Sequence, residues 1–162
     1  MTSPAKPSAS EPIAIGQIGV AKGEGVLRTF VGSCVALVLY SHRHRMAGMA
    51  HVMLPAAEGR AATPGKFADT AVPETLRLLV ALAGDPDLAC TAKLIGGATM
   101  FTFQSGTPIG DQNVLAIEKI LGSLGIGIVG RLCGGRHGRR VAVDVATGTV
   151  TVETAEHGSE TL

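Results

Sequence analysis

The stretch CVALVLYSHRHRMAGMAHVMLP, Cys34–Pro55, decides how this chain is read. Cys34 to Tyr40 is a short run rich in Val and Leu, which suits a buried strand better than a helix. The polar segment SHRH interrupts it, and RMAGMAHVMLP is a second apolar segment that Pro55 stops. The pair reads as a β-hairpin. A turn centred between His42 and Arg43 makes paired residue numbers sum to 85, so Cys34 falls opposite His51. Directly opposed side chains on one face have Cβ atoms about 5 Å apart, within reach of a thiol to imidazole hydrogen bond. A slip of one residue would send the two to opposite faces.

Working outward, IAIGQIGV reads as a first strand and AKGEG as a polar turn, after which the chain enters VLRTFVGSCVALVLY with Gly32 offering a bend between Thr29 and Cys34. Beyond the hairpin, residues 56 to 68 are rich in Ala, Gly and charge and read as a surface loop. A helix is predicted from Asp69 or Thr70, with Pro73 in its first turn, an apolar stripe of Val72, Leu76, Leu79, Val80 and Ala83, and Gly84 at its end. AKLIGGATMF is a strand that enters a glycine turn. GDQNVLAIEKILGSLG is a second helix, with Asp111 as N-cap and Val114, Ile117, Leu121 and Leu124 on one face. IGIVGRLC is a further strand, and RRVAVDVATGTVTVE alternates with period two around a Thr147-Gly148 turn. Strands arriving mostly as hairpins, with two helices between them, predict an α+β fold of layered, sandwich-like, mostly antiparallel sheets with two flanking helices. Residues 13 to 154 make one domain, between a disordered tail over residues 1 to 12 and a flexible tail over residues 155 to 162.

The totals narrow the classes. A chain of 162 residues is expected to form a single core, and with 46% apolar residues, 3% aromatic and no Trp that core is aliphatic. A formal net charge of +1 offers no general field for nucleic acid or an anionic membrane. The apolar runs fall short of the roughly 20 residues that span a bilayer, and MTSPAKPSASEP lacks the apolar segment of a secretory signal, so a cytoplasmic protein without membrane insertion is expected. Cys34, Cys90 and Cys133 form an odd set without CxxC spacing, read as reduced thiols and not as a disulfide framework or zinc site.

A lone cysteine at a strand start is most often a small core residue. A histidine facing it changes that reading, because an imidazole inside the apolar run MAHVML needs a hydrogen-bond partner, and a thiol paired with it becomes a nucleophile. Thr29, the hydroxyl ahead of the glycine bend, can hold the second ring nitrogen; on spacing alone it is equally an ordinary strand threonine.

TFVGSCVALVLY, GMAHVMLP, KLIGGATMF, a helix start of the form IG..N, and GGRHGRRVAVDVATG together resemble the CheD family of chemoreceptor glutamine deamidases. The likeness runs from about Ile13 to Val152. It implies a fold of layered sheets related to deamidating bacterial toxins, with Cys34 as nucleophile, His51 as base and Thr29 completing a triad. The implied reaction converts a receptor glutamine to glutamate through a thioester, without a cofactor or metal. Ser33 and Gly32, with Gly96 and Gly97 nearby, are the candidates for oxyanion or substrate contact. The substrate region is the helical cytoplasmic part of chemoreceptors, which favours a shallow site. A CheC-like phosphatase is the family's regulatory partner, and some members also act as methylesterases.

Other features have plain readings beside functional ones. Arg131 and GGRHGRR place four arginines within ten residues, suited to an acidic partner or to a solvated turn. Gly96 and Gly97 lack the Lys-Ser/Thr of a phosphate loop and suit close packing. His42 and His44 could clip a metal only with a third ligand, and Cys90 and Cys133 read as structural. Gln112 and Leu132 depart from residues usual in the family. They motivate the alternative of a weakly active or inactive module that sequesters a CheC-like phosphatase or a receptor.

Overall fold

A strand without a polar face needs cover on both sides, and this requirement organises the molecule. The computed structural model describes residues 11–60, 63–100 and 106–162. Strand β3 (Val35–Ser41) is buried at every position, and so is β4 (Met46–Val52). They lie in the middle of a five-stranded sheet of order β1-β4-β3-β5-β6, completed by β1 (Ile18–Lys22), β5 (Thr91–Gly96) and β6 (Ile128–Cys133). Only β5 and β6 are parallel. The crossover between them carries helix α2 (Ile109–Ser123), as a parallel connection requires. Helix α1 (Ala68–Ala83) joins α2 on one face of this sheet, where Val35, Leu37 and Leu39 meet Val72, Leu79, Ile117 and Leu121.

The other face is covered by a four-stranded antiparallel sheet of order β2-β7-β8-β9. It comprises β2 (Val26–Val31), β7 (Arg139–Asp144), β8 (Val150–Thr154) and β9 (Gly158–Thr161). Ala36, Val38 and Met49 pack there against Leu27, Val141, Val143 and Val152. The predicted α+β architecture of mostly antiparallel sheets with two flanking helices is therefore observed, as three layers: helices, sheet, sheet.

Several boundaries differ from the sequence reading. The hairpin closes with Ser41 opposite Met46, leaving His42 to Arg45 as the turn, with Arg45 in the left-handed region at φ 47°. The turn is thus centred one residue later than predicted. Ala36 faces His51, so paired numbers sum to 36 + 51 = 87, not 85, and Cys34 is not directly opposite His51. Because the partner moves by two positions, parity is kept. Cys34 and His51 still belong to the face turned toward the second sheet, as diagonal neighbours.

The first strand starts only at Ile18. Ile13 to Gln17 instead form a turn along the end of β4, donating the Gly16 N–H to the His51 carbonyl (2.9 Å) and accepting the His51 N–H at Gln17 (3.1 Å). Pro108, not Asp111, is the N-cap of α2, and Asp111 lies in its first turn. The buried stripe of that helix is Gly110, Asn113, Ile117 and Leu121, whereas Leu124 is exposed. In the segment read as a surface loop, Phe67 is buried. The tail expected over residues 1 to 12 falls outside the described residues except for Glu11 and Pro12. At the other end, β9 pairs with β8 over residues 158–161, where composition alone suggested a flexible tail.

Helix α1 seats on the hairpin at Gly48, where an added Cβ would lie 2.8 Å from Thr75 Cγ2 and 3.4 Å from Leu79. Gly48→Val should therefore force the helix off the sheet and cost about 1–3 kcal/mol in urea unfolding; an unchanged midpoint would contradict this packing.

Candidate active site

His51 is 4% exposed, at the end of β4 between the two sheets, so the inner nitrogen of its ring depends on protein partners. Thr29 supplies one from β2. Leu27, Thr29 and Val31 point inward along that strand while Arg28 and Phe30 point out, which turns the Thr29 hydroxyl toward the imidazole. Thr29 Oγ1 lies 2.6 Å from the Ile13 carbonyl and 2.8 Å from His51 Nδ1, and the same carbonyl is 3.2 Å from Nδ1. A carbonyl can only accept, so the single hydroxyl proton goes to Ile13. The Thr29 oxygen must then accept from Nδ1–H. This arrangement fixes the tautomer: Nδ1 carries the proton and Nε2 keeps its lone pair.

Cys34 sits in the bend between β2 and β3. It lines, with His51, Ile13, Phe30, Ser33 and Met100, an open and mostly apolar cavity of about 680 Å³. The bend is held by its carbonyls. Gly32 O accepts from the Ala98 N–H and Cys34 O from the Gly97 N–H, both at 2.9 Å. Ser33 O accepts from Asn113 Nδ2 of α2 at 3.3 Å, and the same nitrogen donates to Met53 O at 2.9 Å.

Burial pushes the Cys34 thiol up from its ordinary pKa. It pushes His51 down, against a smaller upward effect of the hydrogen bond to Ile13. Both shifts favour the uncharged pair, so the resting site holds a thiol and a neutral imidazole. Among the described residues Nε2 has no hydrogen-bond partner, and an unprotonated ring nitrogen is the chemical type of group that takes a proton from an attacking thiol.

The structure thus brings Cys34, His51, Thr29, Ser33 and Gly32 to one place. Gly96 and Gly97 lie behind the bend and do not line the cavity. The Gly97 N–H is spent on the Cys34 carbonyl, and a Cβ on Gly96 would collide with that same oxygen. Both have positive φ, 122° and 67°, and a side chain at Gly97 would also meet Val114 and Gly110 O of α2, at 2.8 and 2.9 Å. Their part is to let the bend and the helix approach closely.

Two of the four clustered arginines are engaged within the fold: Arg139 Nη1 donates to Gly96 O (3.3 Å) and Arg131 pairs with Glu118 (3.1 Å), while Arg136 and Arg140 are exposed. His44 pairs with Asp85 at 2.9 Å and the His42 ring stands edge-on to Tyr40, and among the described residues no group of three or more His, Cys, Asp or Glu is placed to hold a metal. Gln112 Nε2 donates to Thr107 O, and Leu132 packs against the inter-sheet core. Sequence reasoning met Asn113 only as the last residue of the IG..N block, without a role, and did not reach the Ile13 carbonyl. A polar residue on the stripe Asn113, Ile117, Leu121 was a visible signal for the first; a backbone carbonyl leaves none.

Two sheets and a helical layer define an α+β protein in which a thiol and an imidazole line one cavity. Residues 53–154 match the family described as CheD chemotactic sensory transduction. The chain is 37% identical over 158 residues to the chemoreceptor glutamine deamidase CheD of Bacillus licheniformis, covering 93% of each chain. It is 37% identical to that of Thermotoga maritima, covering 91% of this chain and 94% of the other, and 40% identical to the probable chemoreceptor glutamine deamidase of Methanococcus maripaludis, covering 86% and 92%. The chain belongs to the CheD family. No helix among the described residues is long and apolar enough to cross a membrane.

Two measurements check the site. Iodoacetamide alkylation of Cys34, followed by peptide mass spectrometry, should keep rising with pH above the ordinary thiol value of about 8.5. A plateau already reached near pH 6 would indicate a preformed ion pair. Nitrogen-15 NMR should show His51 as the Nδ1–H tautomer in the wild type, and Thr29→Val should weaken that preference; an Nε2–H ring in the wild type would overturn the assignment.

Proposed function

We propose that this protein hydrolyses the side-chain carboxamide of glutamine residues in chemoreceptors, with Cys34 as nucleophile, His51 as base and Thr29 as the group that orients the imidazole. The observation that carries this reading is the hydrogen-bond chain from the Ile13 carbonyl through Thr29 to His51 Nδ1, which leaves Nε2 basic in the cavity that Cys34 lines. The names of the relatives supply the substrate class.

In this mechanism the Cys34 sulfur bonds to the carboxamide carbon while its proton passes to His51 Nε2. The carbonyl π electrons move onto oxygen, and the imidazolium then gives the proton to the departing nitrogen. Ammonia leaves and a thioester remains. Water gives a proton to His51 and attacks the thioester; the carbonyl re-forms as the C–S bond breaks, and the imidazolium returns the proton to the departing sulfur, leaving glutamate and the free thiol. The backbone N–H groups of Ser33 and Cys34 are the proposed oxyanion donors. Among the described residues neither is paired with a backbone carbonyl, and both residues line the cavity. An open, shallow cavity suits a glutamine presented on a helix surface better than a free amino acid. A CheC-like phosphatase as a regulatory partner, and methylesterase action by the same nucleophile, belong to this reading. The intact thiol, imidazole and hydroxyl favour an enzyme over a module that only sequesters a partner.

Purified protein incubated with a receptor cytoplasmic fragment should release ammonia and convert particular glutamines to glutamate, as read by mass spectrometry. Cys34→Ala should lower the rate by about 10³-fold or more; an undiminished rate would remove the cysteine from the mechanism. Since burial lowers the His51 pKa, protonation should disable the base only below the ordinary histidine value of about 6.5. An acid limb well above that value would contradict the assignment of His51 as the base.

A further inference from the structure

Asn113 is fully buried in α2, yet it is amide on a stripe that is otherwise apolar or glycine. Both atoms facing its side-chain nitrogen are carbonyl oxygens, Ser33 O at 3.3 Å and Met53 O at 2.9 Å, so the NH₂ end must point at them and spends both protons there. Its Oδ1 is buried without a hydrogen-bond partner among the described residues. A buried amide that satisfies only its donor end is costly, and nothing in the helix itself calls for it. The two carbonyls belong to the residue immediately before Cys34 and to the residue two places after His51. One side chain thus ties the bend of the proposed nucleophile to the strand end of the proposed base.

The consequence follows from peptide geometry. The Ser33 carbonyl and the Cys34 N–H share one planar trans unit and point in opposite directions. Asn113 approaches from the helical layer, whereas Cys34 and His51, which line the cavity, belong to the face turned toward the second sheet. Holding the carbonyl on the helix side therefore turns the Cys34 N–H toward the cavity. The flanking planes are held in the same manner, by Ala98 N–H on Gly32 O and Gly97 N–H on Cys34 O. Of these three clamps only Asn113 is a side chain.

We propose that Asn113 is a positioning residue that preorganises the oxyanion site, clamping the Ser33 carbonyl so that the Cys34 N–H faces the cavity shared by Cys34 and His51. The proposal rests on the hydrolase reading given above. Asn113 does not touch substrate. Its effect falls on the charge that develops in the transition state and not on substrate capture or on the sulfur.

The test compares two reactions of Cys34 in the full chain. A receptor peptide bearing a side-chain aldehyde in place of the carboxamide binds as a thiohemiacetal whose oxygen occupies the oxyanion position. Iodoacetamide alkylates the sulfur with loss of iodide and forms no oxyanion. Asn113→Leu, which removes both donors at similar volume, should weaken aldehyde binding and lower kcat by about 10²-fold each. KM and the alkylation rate should stay within about threefold, since an interaction made only in the transition state leaves both alone. Asn113→Asp, offering at most one donor, should show the same pattern and decides the matter if the leucine variant does not fold. Unchanged aldehyde affinity and kcat in the folded variants would overturn the clamp. So would a parallel loss of alkylation, which would assign Asn113 to general packing. A wild type that releases no ammonia, or a Cys34→Ala variant that releases it at full rate, would overturn the hydrolase reading itself and the clamp with it.

Discussion

An imidazole packed between two sheets needs a protein partner for its inner nitrogen, and the way His51 is satisfied shapes everything around it. Its Nδ1 partner comes from the opposing sheet, and the oxygen that fixes the Thr29 proton comes from a third segment, the turn before β1. Three stretches distant in sequence thus converge on one ring. A buried hydrogen bond of this kind contributes about 1 kcal/mol, and breaking one partner costs more because the other is left unsatisfied. The pair therefore helps to register the sheets against each other while leaving Nε2 as the unprotonated nitrogen of a ring that lines the cavity. Stability and the proposed chemistry draw on the same contact.

Close backbone approach is the second constraint. Gly96 and Gly97 permit the carbonyl of Cys34 and the first turn of α2 to come together in a space that any Cβ would fill, and Gly110 answers them from the helix side. Only this proximity puts Asn113 within reach of the bend. The double glycine thus acts at one remove from the cavity, through distance, and not by contact with a ligand.

Much of this was legible in the sequence because it rests on periodicity. The two apolar runs on either side of SHRHR read as a hairpin with a buried strand, and the alternation of Val141, Val143, Val150 and Val152 as a further strand pair. The face shared by Cys34 and His51 was legible for the same reason: parity survives an error of two in register. The register itself was not, since SHRHR fits several turns and the left-handed Arg45 that selects one of them is a residue of no special turn propensity. Thr29 was ambiguous because a strand threonine has a sufficient reason to exist without a partner. The matched family region, residues 53–154, begins beyond His51. The Ile13 carbonyl and the clamp at Asn113 depend on tertiary placement, and β9 pairs through backbone groups that composition does not reveal.

The central claim is that the sulfur at Cys34 becomes covalently bound to the substrate. Acid quenching of the protein during turnover with a receptor fragment, followed by mass spectrometry of the cysteine peptides, tests it most directly. The account requires a transient adduct of receptor peptide on Cys34, with ammonia already released and no adduct on Cys90 or Cys133. Deamidation that proceeds with no adduct at any time point, or with the adduct on another residue, would contradict it.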